Sequence, residues 1–164
     1  MRLIHISWDG PHTLSDLKTL RNEDKDYGLY AIYGSHPMYG PDVLLYLGKA
    51  SEQTLGVRIG QESWLDHEDH SNIKIYVGRL CGPRKCSDDE WSGLILDAER
   101  LMIYAHTPAY NSQNVASIPY KNLRDIHVLN WGSYRRLIPE VSGARWSDIH
   151  DELDAKNVFT SENS

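Results

Sequence analysis

The sequence predicts an α+β fold: a small central antiparallel β-sheet of about three strands flanked by helices, with an additional C-terminal β-hairpin. Three observations carry this expectation. Two extended runs, Tyr27–Tyr33 and Leu44–Ala50, are bounded by the turn formers Gly34-Ser35-His36-Pro37 and Gly40-Pro41-Asp42, so together they read as a hairpin with a long loop. Ile73, Ile75 and Val77 alternate with Lys74, Tyr76 and Gly78, as in a half-buried third strand. Ser87-Asp88-Asp89-Glu90 is a capping-box helix start, followed at helical spacing by Trp91, Leu94, Ile95, Ala98, Leu101 and Met102, and Pro108 stops that helix.

The remaining elements are weaker. Leu3–Trp8 reads as a short strand broken by Asp9-Gly10-Pro11, and Leu14, Leu17 and Leu20 form a helical stripe; residues 1–25 are expected to be an extension packed on the core. Ser51 is a possible N-cap for a helix in which Leu55 and Ile59 face the core and Arg58 and Glu62 share a neighbouring face. Gly56 and Gly60 weaken that helix by about 1 kcal/mol each relative to alanine, so packing or a ligand must hold it. Ile126–Leu129 and Tyr134–Ile138 flank Asn130-Trp131-Gly132-Ser133 and read as the second hairpin, followed by an acidic tail.

Composition narrows the class. A chain of 164 residues, 40% hydrophobic and 24% charged, is of ordinary globular type and about one domain in size. No apolar run approaches a membrane span, and the opening residues lack the apolar core of a signal peptide, so a cytoplasmic protein without membrane partners is expected. The net charge of −6 argues against bulk electrostatic coating of nucleic acid. Residues 121–145, however, carry five basic and two acidic side chains. Lys121, Arg135 and Arg136 there, with Arg84 and Lys85, are candidate phosphate contacts; solvated surface charge is the plain alternative.

Residues two apart share a strand face, so Tyr30 lies beside Ile32 and Tyr46 beside Gly48, with room for a ligand over the glycine if the register brings the phenols together. Glu99 lies four residues after Ile95 and three before Met102, at the border of the buried stripe, where a carboxylate needs a partner. The paired signature Gly28-Leu29-Tyr30 and Tyr46-Leu47-Gly48, continued by Lys49-Ala50, resembles the GIY-YIG nuclease family of homing, repair and restriction endonucleases. Arg58, Glu99 and Pro108-Ala109-Tyr110-Asn111 follow in the family's order, so the likeness covers residues 26–114 and leaves 115–164 as a hairpin extension and tail.

The resemblance implies a metal-dependent endonuclease hydrolysing DNA phosphodiester bonds, in a restriction-like setting, with RNA left open. It implies catalytic roles for Tyr30, Tyr46, Lys49, Arg58 and Glu99, with Glu99 as ligand of one divalent cation, Mg²⁺ or Mn²⁺. Either tyrosine could activate water if Lys49 or Arg58 favours its phenolate. Arg58 would grip the scissile phosphate, while Asn111 and Glu62 act behind these groups. There are two departures: Glu62 stands where many members carry a histidine, and Arg58 follows Tyr46 by twelve residues, slightly later than in repair-type members. The alternative is a catalytically inactive module of the same fold that binds nucleic acid or a partner. Cys81 and Cys86, with His67 and His70, supply zinc-ligand types, but C-x4-C is looser than common zinc modules, so a reduced pair without structural zinc is the preferred reading.

Overall fold

The computed structural model describes residues 1–82, 87–116 and 121–146. In chain order its main elements are β1 (Arg2–His12), β2 (Gly28–His36), β3 (Gly40–Ala50), α1 (Leu55–Gly60), β4 (Lys74–Cys81), α2 (Asp88–His106), β5 (Ile126–Gly132) and β6 (Glu140–Ser142), with short 3-10 turns between them. The strands form one mixed six-stranded sheet in the order β3-β2-β4-β1-β5-β6, curled like half a barrel.

This overturns the expected small three-stranded sheet flanked by helices. The difference lies outside the residues that carry the family likeness. Residues 2–12 are not a layer packed on the core: Ile4, Ile6 and Trp8 are buried on one face of a central strand that pairs antiparallel with β4 and parallel with β5. The expected C-terminal hairpin is also different. Ile126–Gly132 pairs with β1, and the short antiparallel partner on its other side is Glu140–Ser142, not Tyr134–Ile138. Alternation of apolar residues identifies a strand and its buried face, but says nothing about which distant strand supplies its hydrogen bonds.

The β2–β3 hairpin is present, with its strands longer and its loop shorter than expected: His36 already pairs with Gly40, leaving only Pro37, Met38 and Tyr39 between them. On one face of the sheet, Trp8, Leu29, Tyr33 and Leu47 pack with Ile95, Ala98, Leu101 and Met102 of α2. On the other face, Tyr30, Ile32, Leu45, Ile75 and Val77 meet Leu55 and Ile59 of α1, Leu17 of the 3-10 turn at Leu14–Thr19 and Leu20, which caps that turn. Helix α1 begins after Thr54 rather than at Ser51. Its Gly56 is required by close approach, since a Cβ there would lie 2.0 Å from the Leu17 carbonyl oxygen, and its N–H donates to the Leu20 oxygen at 2.7 Å. Helix α2 follows its sequence signals, with the Ser87 hydroxyl accepting from the Glu90 N–H at 3.3 Å.

The C-terminal end of α2 is tied to the loop before β6 by His106. Its Nε2 accepts the Ile138 N–H at 2.8 Å, so Nδ1 carries the proton donated to the Met102 oxygen at 2.7 Å. Burial lowers the His106 pKa below its ordinary 6.5, outweighing the opposite effect of the Met102 bond. The unfolded chain therefore takes up this proton first, so the His106 contribution to stability is complete above pH about 6.5 and declines as pH falls through that value. Denaturation midpoints measured from neutral to mildly acid pH should fall for the native chain, and His106→Gln should remove that part of the decline.

Candidate active site at the edge of the sheet

Register brings the two signature tyrosines together. Tyr30 pairs with Gly48 and Ile32 with Tyr46, and the Tyr30 and Tyr46 rings stack with centroids 6.1 Å apart and planes 29° from parallel. The room over Gly48 is not open to a ligand, as the sequence had suggested. A Cβ on Gly48 would lie 2.5 Å from the Tyr30 hydroxyl oxygen and 2.8 Å from Cε1 of Tyr46, so the missing side chain makes space for the phenols themselves. Gly28 serves the neighbouring strand pair: its φ is +145°, and a Cβ there would lie 2.1 Å from the Gly78 carbonyl oxygen.

The Tyr30 hydroxyl donates to Oε1 of Glu62 at 2.5 Å, and Nη1 of Arg58 forms an ion pair with the same oxygen at 3.1 Å. Oε2 of Glu62 accepts from the Trp64 indole N–H at 3.2 Å. Glu62 is thus a hub just after α1, held by two hydrogen-bond donors and one ion pair. Trp64 has no place in the sequence reading; its only signal was an indole two residues from a glutamate that the spacing already paired with Arg58.

This hub corrects the expectation that a cation eases a tyrosine toward phenolate. Burial first, then the hydrogen bond and negative charge of Glu62, hold the Tyr30 pKa far above its ordinary 10, and Arg58 offsets this only in part. Tyr46 is raised by burial and by Glu62, again against Arg58. Burial also works against the charge of Arg58, but Tyr30, Glu62, Tyr46 and Glu99 outweigh it and raise its pKa.

Glu99 reaches this cluster around the rim of the sheet. Strand β3 is an edge strand, and the Lys49 backbone N–H on it is among the groups that favour the charged form of Glu99. Burial pushes the Glu99 pKa up to about 7, against the pull of Lys49, Arg100 and Arg58. The Lys49 ammonium itself donates to the Ser51 hydroxyl at 3.1 Å. One step along the same edge, Asn111 Oδ1 accepts the Leu47 N–H and its Nδ2 donates to the Leu47 oxygen, both at 2.9 Å. Asn111 is therefore a brace on the strand carrying Tyr46.

The candidate nucleic-acid contacts are dispersed. Arg135 turns inward: its guanidinium lies 4.5 Å from the Tyr33 ring centroid, donates to the Tyr76 hydroxyl and pairs with Asp42. Arg136 is two-thirds exposed and reaches Asp42 at 3.1 Å. Lys121 opens a 3-10 turn, Lys121–Asp125, but its side chain lies outside the described residues, as do Arg84, Lys85 and Cys86. His67 and His70 precede β4 while Cys81 ends it, with the strand, about 23 Å long at roughly 3.3 Å per residue, between them. A cavity of about 1050 Å³, lined in part by Tyr27, Arg79 and Trp91, does not include the tyrosine, arginine and glutamate cluster.

Gly48→Ala should lower the unfolding free energy by about 1–3 kcal/mol, because the phenol packed against it is buried and cannot swing away; urea denaturation measures this. No family model, no curated protein and no solved structure matches the chain.

Proposed function

We propose that the protein is a metal-dependent endonuclease of GIY-YIG type that hydrolyses DNA phosphodiester bonds, as a restriction-type enzyme would. The observation that carries this reading is the convergence of Tyr30, Tyr46, Arg58 and Glu62 in one contiguous cluster, with Glu99 close enough to act on the charges of Tyr46 and Arg58. These residues are spread over seventy positions of the chain, and folding alone does not require them to meet.

The donor set fits a hard divalent cation such as Mg²⁺ or Mn²⁺. Among the described residues no group of three or more His, Cys, Asp or Glu converges, so Glu99 would be its one carboxylate ligand, with water and substrate phosphate completing the shell. A carboxylate whose pKa is raised to about 7 by burial gains from such a neighbour. When bound, the ion would neutralise charge on the phosphate oxygens and the departing oxygen.

The chain's own groups divide the remaining work. Glu62 engages one terminal nitrogen of Arg58, and the guanidinium fork has further donors for the non-bridging oxygens of the phosphate. Tyr30 is too strongly held as a phenol to store a proton's absence. Fully buried, it does not meet the attacking water; its hydroxyl instead holds Glu62 in place over 2.5 Å, and Glu62, still partly exposed, can take the proton from that water. Glu62 then does the accepting that an imidazole would otherwise do. Tyr46, half-buried beside Tyr30, shapes the approach of the water and the phosphate.

One observation favours the second reading, a non-catalytic binding module of the same fold: Glu62 adds negative charge where a phosphate must enter. Cleavage of plasmid and oligonucleotide panels with Mg²⁺ or Mn²⁺ separates the two. The enzyme should lose about 10²-fold or more in rate in Glu99→Gln and in Arg58→Ala, and about 10²–10⁴-fold in Glu62→Gln. Binding that is indifferent to EDTA and to Glu99→Gln, with no cleavage under any metal, would establish the module instead.

A further inference from the structure

Six rings form an unbroken file from the tip of the β2–β3 hairpin to the candidate site. Tyr39 lies on His36 with centroids 4.5 Å apart and planes 21° from parallel. His36 meets Tyr110 at 5.4 Å, Tyr110 meets Trp64 at 5.2 Å, Trp64 meets Tyr46 at 5.8 Å, and Tyr46 stacks on Tyr30 at 6.1 Å. Exposure falls along the file, from Tyr39 at 66% to Tyr30 at 0%. The outer end is held ready: His36 Nδ1 accepts the backbone N–H groups of Met38 at 3.2 Å and Tyr39 at 3.3 Å, which fixes the turn that presents the exposed ring.

We infer that this file is a stacking platform for unpaired bases, so that the strand led to the site is single-stranded DNA or a locally unpaired segment of it. The inference rests on the nuclease reading and names its substrate class. Base faces are free to stack on a protein ring only where they are not stacked in a duplex, and such stacking serves every base. A protein of net charge −6 gains little affinity from bulk electrostatics, which leaves stacking as the sequence-independent attraction. Cations flank the file at both ends. Arg58 sits at the inner end, and at the outer end, around the hairpin, the exposed Lys74 and Arg136 both reach the carboxylate of Asp42, three residues from Tyr39. Met38, 83% exposed beside Tyr39, gives the tip an apolar edge that can rest against a base.

The test is fluorescence anisotropy of a labelled oligothymidine and of a blunt duplex of equal length, in EDTA, so that no cleavage is needed. The single strand should bind tighter than the duplex. Tyr39→Ala should weaken single-strand binding at least about fivefold, Tyr39→Phe should preserve it, and the slope of affinity against salt should not change in either. Equal affinity for strand and duplex overturns the platform, as does unchanged strand binding in Tyr39→Ala. It is likewise overturned if Tyr39→Ala alters only self-association of the protein. Duplex cleavage by a protein that fails this test retains the nuclease reading and removes the platform; Tyr39-dependent strand binding without cleavage under any metal does the reverse.

Discussion

The arrangement depends on how the free edge of β3 is satisfied. An edge strand presents backbone donors and acceptors with no neighbouring strand to meet them, and in this chain the turn after α2 supplies the partners. Tyr110 and Ala109 donate backbone N–H groups to the oxygens of Leu45 and Leu44, and Asn111 closes both polar groups of Leu47. Helix α2 packs on one face of the sheet and the tyrosine cluster lies on the other. The edge is the place where a side chain from that helix can come round to the second face. Glu99 extends from α2 on that side, and its charge is felt at Arg58 and Tyr46.

Within the cluster, charge rather than shape sets the behaviour. Two carboxylates and two phenols surround one guanidinium, so Arg58 is the counter-charge on which Glu62 and Glu99 both draw. A buried phenol beside a carboxylate stays protonated, so Tyr30 acts as a fixed hydrogen-bond donor to Glu62 rather than as a negative charge. Glu62 is therefore not a bystander. It takes the hydrogen bond of Tyr30, the ion pair of Arg58 and the indole of Trp64 at once.

Much of the local structure was legible. The capped helix α2, the β2–β3 pair and the alternation of β4 all follow from period and turn chemistry, and the pairing of Arg58 with Glu62 follows from their spacing of four. The larger sheet was not legible, because β1 and β5 are joined by parallel hydrogen bonds between segments some 120 positions apart. Nor was the cost of space around Gly48 visible, because a glycine in a strand reads equally as room for a ligand and as room for a neighbouring ring.

The order of residues in the chain by itself determined which segments could be strands or helices, which of their faces were apolar, and which tyrosines, arginine and glutamates were candidates for one site. Only the tertiary structure decided that the tyrosine hydroxyl points at Glu62, that Asn111 closes an edge amide, and that β1 lies at the centre of the sheet. The physical reason is that propensity and periodicity act over a few neighbouring residues. Hydrogen-bond partners at a sheet edge, and the burial that shifts a pKa, are instead set by groups far apart in sequence.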